Sequence, residues 1–212
     1  MKSVALPRYY VAALCFCSGI ILANATTILI DGTNSNVMFN ASDGIGGTVA
    51  SIIDGTVSDA QSSSSKEIIT VGDSATPIVS DAVQISTIPV VSSGGSNHFR
   101  LLYDAQETGG TGNHQITIND LRFYVDSSNS ANVPAAGTLV WDLGTDELSV
   151  NPTDDGTDTP QGNGADFALL LPVSAFAGLN TDSYLYLQTR QTNSDNGNDE
   201  WVLGTGNTLP PA

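Results

Sequence analysis

The chain has 212 residues, with 22 Asp and Glu against six Lys and Arg, a formal net charge of −16 and 7% aromatic residues. That balance excludes nonspecific binding to nucleic acid or to an anionic membrane, both of which need basic patches. The two cysteines, Cys15 and Cys17, stand close to the N-terminus, and His98 and His114 are the only histidines. Little is left for thiol chemistry or a histidine-rich metal centre.

Residues 1–25 read as an export signal and not as part of the fold. Lys2 and Arg8 give a positive start, Val11 to Leu22 is apolar, and Ala23-Asn24-Ala25 supplies the small-residue pattern that signal peptidase reads. The apolar run is too short to cross a bilayer of ~30 Å as a helix. A lipid anchor on Cys15 or Cys17 is the competing reading, but neither closes a Leu-small-small-Cys box. The expected exported chain begins near Thr26, has no disulfide and no membrane span, and retains all 22 acids while Lys2 and Arg8 are lost. A secreted or cell-surface location follows. A domain of this size can build its core without cross-links. Asp clusters beside Gly, Asn, Thr and Ser, where turns form. Those turns serve either as a solvating surface or as sites for divalent cations, whose preferred ligands are carboxylates and carbonyls.

Along the chain the pattern is β throughout. Thr26–Asp31 reads as a first strand ended by Asp31-Gly32, and residues 35–40 as a second. Residues 43–57 are Gly-rich with little to pack, and 59–65 are a low-complexity surface loop. Residues 66–71 and 82–91 are β-branched runs, the latter pushed toward a sheet edge by Pro89. In residues 98–104, Phe99, Leu101 and Tyr103 share one face, while Arg100, Leu102 and Asp104 share the other. Residues 115–125 carry a strand signal that Asn119-Asp120 threatens to break, and 139–143 is a short apolar strand.

A long loop follows at 151–164. Strands at 166–171 and 184–190 come next, joined through Pro172 and one helical turn at 174–178, and a last strand spans 200–204. Many short strands with frequent turns and no amphipathic helix predict an all-β fold: a two-sheet antiparallel β-sandwich or jelly roll over residues 26–204, with 205–212 as a short tail.

Two stretches suggest cation ligands. From Asn193 through Asp195, Gly197 and Asp199 to Glu200, oxygen ligands alternate as at the start of an EF-hand loop. The match then fails, because Gly stands at the fifth position and the twelfth is Gly204. A plain hairpin loop with Asn-Gly turn chemistry is the other reading. Gly162-Asn163-Gly164-Ala165-Asp166 echoes a single copy of a nonapeptide calcium repeat, which works only by stacking. Asp166 stands at one strand entrance and Asp199-Glu200 at another, with Asp104 and Glu107 at the end of a third. If those ends meet in one sheet, Asp104, Glu107, Asp166, Asp195, Asp199 and Glu200 supply one or two structural Ca2+ sites.

Catalytic motifs are poor: no G-x-S-x-G elbow occurs, and two histidines with no exported cysteine make a weak zinc set. Paired carboxylates for glycoside hydrolysis remain open among so many acids. Trp141 and Trp201 read either as core residues beside Leu143 and Val202 or as a sugar-stacking platform with Tyr184 and Tyr186.

A family likeness runs through Asp120-Leu121-Arg122-Phe123-Tyr124, Leu139-Val140-Trp141-Asp142-Leu143, Gly164-Ala165-Asp166-Phe167 and Leu171-Pro172-Val173-Ser174-Ala175-Phe176. It continues in Tyr184-Leu185-Tyr186-Leu187 and in Asp195-Asn196-Gly197-Asn198-Asp199-Glu200-Trp201. In this order the chain resembles the exported proteins of exopolysaccharide-producing bacteria that carry PEP-CTERM sorting tails, over roughly residues 99–201. The resemblance implies a surface or matrix protein handled by an exosortase in biofilm or floc formation, and no established enzymatic activity. The chain departs from the pattern at its end: residues 207–212 lack the Glu, apolar span and arginines of such a tail. Either a tail has been cut away or this member is released.

The expectation is a non-enzymatic structural or adhesive protein of an extracellular matrix, stabilised by calcium, whose partners are extracellular polysaccharide or matrix proteins. The alternative is a non-catalytic carbohydrate-binding module for exopolysaccharide.

Overall fold

The computed structural model describes residues 27–30, 37–40, 49–57, 66–105, 115–129, 137–150, 165–194, 199–203 and 207–208. The expected export signal, the loops at 59–65 and 151–164, and His114 lie outside the described residues. Fifteen strands are present among the described residues. They are β1 (Thr27–Ile30), β2 (Val37–Asn40), β3 (Val49–Val57), β4 (Lys66–Val71), β5 (Ile78–Val79), β6 (Val83–Gln84), β7 (Pro89–Ser93) and β8 (Ser96–Asp104). The series continues with β9 (Ile116–Asp126), β10 (Thr138–Asp142), β11 (Glu147–Val150), β12 (Ala165–Pro172), β13 (Tyr184–Thr192), β14 (Asp199–Leu203) and β15 (Asn207–Thr208). The helical elements among the described residues are two 3-10 turns, Ile85–Thr87 and Val173–Phe176.

The strands form two sheets, mostly antiparallel, as expected of an all-β sandwich. The seven-stranded sheet runs β1-β11-β9-β13-β5, with β10 beside β9 and β6 beside β13. The eight-stranded sheet runs β15-β7-β8-β12-β3-β2, with β14 between β8 and β4. Period-2 patterning decides which side chains meet between the sheets. From the eight-stranded sheet come Phe99, Leu101 and Tyr103 of β8, Phe167, Leu169 and Leu171 of β12, and Trp201 of β14; from the other come Phe123, Trp141, Leu185 and Leu187. Tyr103 stacks on Phe167 with ring centroids 5.1 Å apart, and Trp201 meets both edge-on, at 5.1 Å and 5.7 Å. Such aromatic pairs each add about 0.5–1.5 kcal/mol beyond area burial.

Several expectations are corrected. The Gly-rich stretch contains β3, a nine-residue strand laddered to β12 on one side and β2 on the other. Pairing on both edges outweighs its weak local preference. The run at 82–91 is not one strand: it breaks into β6, a 3-10 turn and β7, with Pro89 as the first residue of β7. The strand across Asn119-Asp120 does not break. Arg190 pairs with Asp120 and Gln191 with Ile118, leaving Asn119 as the extra residue of a bulge. The bulge keeps Ile116 and Ile118 on the same face as Leu121, Phe123 and Val125. The short strands β5, β11 and β15 have no counterpart in the sequence reading.

The outward face of the eight-stranded sheet carries a second apolar layer. Leu102, Ala168 and Leu170 are fully buried and Val202 nearly so, although they alternate with the inter-sheet core residues. A run such as Ala168 to Leu171 is apolar at every position, as in strands covered on both faces.

Candidate functional site

β8 lies between β12 and β14, so three of the acid-bearing strand ends do meet in one sheet. Tyr103 pairs with Phe167 on one side and with Trp201 on the other. One residue further, Asp104 stands directly opposite Glu200. The Asp166 carboxylate reaches the same end of β8, accepting the Ala105 backbone N–H through Oδ2 at 2.7 Å. Carboxylates directly opposed on an antiparallel pair have Cβ atoms about 4.5–5.5 Å apart and repel unless positive charge or donors lie between them. Asp104 is only 4% exposed, and both it and Glu200 have partners within the fold.

Asp199 goes the other way. Strand alternation puts it on the face of Trp201, inside the sandwich, where it is fully buried and accepts a hydrogen bond from Gln191 Nε2. Gln191 Oε1 in turn accepts from the Tyr103 hydroxyl at 2.8 Å. Tyr103 and Asp199 belong to the eight-stranded sheet and Gln191 to the other, so this polar chain bridges the layers. Adjacent residues on one strand cannot share a face, so Asp199 and Glu200 cannot serve one cation together. Asp195 and Glu107 lie outside the described residues. Among the described residues no group of three or more Asp, Glu, His or Cys is arranged to hold a metal ion.

The hairpin reading of residues 193–200 is also corrected. β13 and β14 belong to different sheets, so they do not pair as a hairpin. The start of the intervening segment is held by the Ser194 N–H donating to Asp73 Oδ1 at 2.8 Å, with Asn193 in the left-handed region at φ 68°.

Neither tryptophan is a sugar platform. Trp141 is 1% exposed and packs on Phe123 at 5.8 Å, while Trp201 is fully buried. The tyrosines point elsewhere. On β13, Leu185 and Leu187 face inward, so Tyr184, Tyr186, Gln188 and Arg190 face outward. Across the ladder Tyr186 meets Tyr124, Gln188 meets Arg122, and Arg190 meets Asp120. On the far side of β9, Asp142 of β10 meets Arg122. The sequence reading named Tyr184 and Tyr186 only as companions of the tryptophans and did not find Arg122 or Tyr124 beside them, although all four occupy the polar phase of an alternating run.

Its electrostatics are tightly matched. Arg122 Nε lies 3.3 Å from Asp120 Oδ1 and 3.4 Å from Asp142 Oδ2. Burial pushes the Asp120 carboxyl above its ordinary value; Arg122 and Arg190 oppose that rise and Asp142 adds to it. Burial disfavours the Arg122 charge, but Asp120 and Asp142 outweigh it and hold its pKa up. Nearby, Asp126 is held below its ordinary value by hydrogen bonds from the Ser128 backbone N–H and hydroxyl. No protein-family model, curated protein or solved structure matches this chain.

Proposed function

We propose that the protein is a non-catalytic structural or adhesive component of an extracellular matrix, exported to the cell surface or beyond and in contact with polysaccharide there. One observation carries this reading: the largest side chains are spent on rigidity. Trp141, Trp201, Tyr103, Phe99, Phe123 and Phe167 are all fully buried between or beside the sheets. The surface chemistry lies on a sheet face and at strand ends. One cavity, of about 260 Å³ between Ile85, Phe99, Phe176 and Leu179, has Ser174 and Thr181 as its polar lining and no carboxylate pair. A glycoside hydrolase needs two acids flanking its substrate.

Calcium bound by carboxylate oxygens at the Asp104–Glu200 end of the eight-stranded sheet fits the same role, since it would add rigidity where the strand ends meet. The test is co-sedimentation of the purified protein with exopolysaccharide, followed by chromatography of the supernatant. Retention with no released oligosaccharide is expected. Shortened chains in the supernatant would overturn the reading.

A further inference from the structure

We infer that the outward face of the seven-stranded sheet, across β9 and β13, is a binding face for a neutral saccharide chain. The inference rests on the adhesive reading and gives it a place on the molecule and a ligand class. The ladder sets side chains of complementary chemistry in rows: Tyr124 with Tyr186, Arg122 with Gln188, Asp120 with Arg190. Rows repeat every second residue, about 6.8 Å along the strand, and strands are about 4.8 Å apart. Tyr124 and Tyr184 are half-buried and each keeps part of its side chain open. Tyr186, 2% exposed, forms the floor between them, its hydroxyl donating to the Ser128 carbonyl at 2.9 Å. Rigid, amphipathic tyrosines give contact area at low entropic cost, and suit the C–H faces of a sugar ring.

Hydrogen-bonding capacity on this face is unspent. Gln188 is only 8% exposed, yet its Oε1 is buried with no hydrogen-bond partner, and Arg190 Nε, one row on, is in the same condition. Buried polar atoms are paired in the great majority of cases; on β9 and β13, Asn119 Oδ1, Arg122 Nε, Gln188 Oε1 and Arg190 Nε are exceptions together, which calls for a cause. Ligand hydroxyls, which donate and accept, would satisfy these atoms once the Gln188 and Arg190 side chains turn outward from their closed positions.

Charge selects the neutral class. The Arg122 guanidinium is engaged by Asp120 and Asp142, and Asp120 is also within the field of Arg190. The face therefore carries no surplus positive charge, on a chain of net charge −16. A uronic acid polymer would meet net repulsion. A hydroxyl-rich neutral chain meets fixed donors and acceptors already held in register.

The experiment is affinity electrophoresis and calorimetry of the whole protein against a neutral glucan and a polyuronate, at low and high salt. The glucan is expected to bind, with little change between about 0.05 and 0.5 M salt, because no counterions are released. Tyr124→Ala and Gln188→Glu are each expected to weaken binding about tenfold or more. His98→Ala, on the other sheet, should not. Gln188→Glu preserves shape, so a loss there with unchanged melting separates recognition from folding.

Glucan binding undiminished in both variants would remove the site from this face and leave the adhesive reading standing. Preference for the polyuronate with steep salt dependence would overturn the neutral class. Self-association that Tyr124→Ala abolishes, with no sugar effect, would give the face to a second copy. Failure to bind any polysaccharide would sink both this inference and the adhesive reading.

Discussion

The hydroxyl of Tyr103 and the side-chain oxygen of Gln191 meet 2.8 Å apart in the interior, tying one sheet to the other, and the Gln191 amide passes the link on to Asp199. Two apolar layers fit together at many offsets, whereas a directional bond at this depth is satisfied at few. Tyr103→Phe is expected to cost about 1 kcal/mol and Gln191→Leu about 1–3 kcal/mol, because the latter strands polar partners away from water. Urea unfolding of the two variants measures both. A neutral Gln191→Leu would mean the bridge sets no alignment.

Trp201 closes the same cluster against Tyr103 and Phe167. Trp201→Ala should cost about 3–5 kcal/mol, the range for emptying a large aromatic site. Trp201→Phe keeps a ring in the cluster and should cost less. Denaturant midpoints at constant slope separate these outcomes from a change in the unfolded chain.

The bulge at Asn119 makes a prediction about deletions. Removing Asn119 leaves Ile118 and Leu121 two positions apart, still on the inward face, so the protein should fold with a modest loss. Removing Arg122 instead turns Ile116, Ile118 and Leu121 out of phase with Phe123 and Val125 and should abolish folding. Circular dichroism and soluble yield of the two deletions decide it.

Calcium is expected to raise the melting temperature, and a chelator to lower it again. At a hundred times the dissociation constant the gain is about 2.7 kcal/mol. The double variant Asp104→Asn, Glu200→Gln should melt at one temperature with or without calcium, since its opposed carboxylates are gone. An unchanged wild-type melting temperature would remove the cation from the proposal.

Acid titration should show two opposing contributions. Asp120 holds its proton more tightly folded than unfolded, because burial outweighs its arginine partners. Folding is therefore disfavoured progressively as pH rises from 3.8 through the raised value. Asp126, lowered by Ser128, contributes stability above 3.8 that is lost as pH falls through its folded value. Relative to wild type, Asp120→Asn should gain stability as pH climbs through the first window. Asp126→Asn should lack the acid-side loss. Melting temperatures from about pH 3 to pH 7 check both signs.

How far the fold is legible in the sequence depends on the strand. β8, β9, β12 and β13 are readable because each must present an apolar face, and alternation or an apolar run records that need locally. β3 is not, since Gly55 and its small neighbours give little local signal and its two partners lie elsewhere in the chain. The acid positions show the same division. Asp104, Asp166 and Glu200 stand at visible strand ends, but nothing near residue 199 says that its carboxylate turns inward to Gln191.

From the sequence alone come the β class, the absence of cross-links beyond the first residues, the acidic character and the faces of the long strands. These are properties of composition and of a two-residue period. Tertiary structure decided which strands share a sheet, that β13 and β14 are divided between sheets, that Asp104 opposes Glu200, and that Tyr124 lies beside Tyr186. The reason is that side-chain phase is local, while register and sheet membership are settled between segments far apart in the chain, by whichever pairing buries both apolar faces and leaves the fewest polar groups unmet.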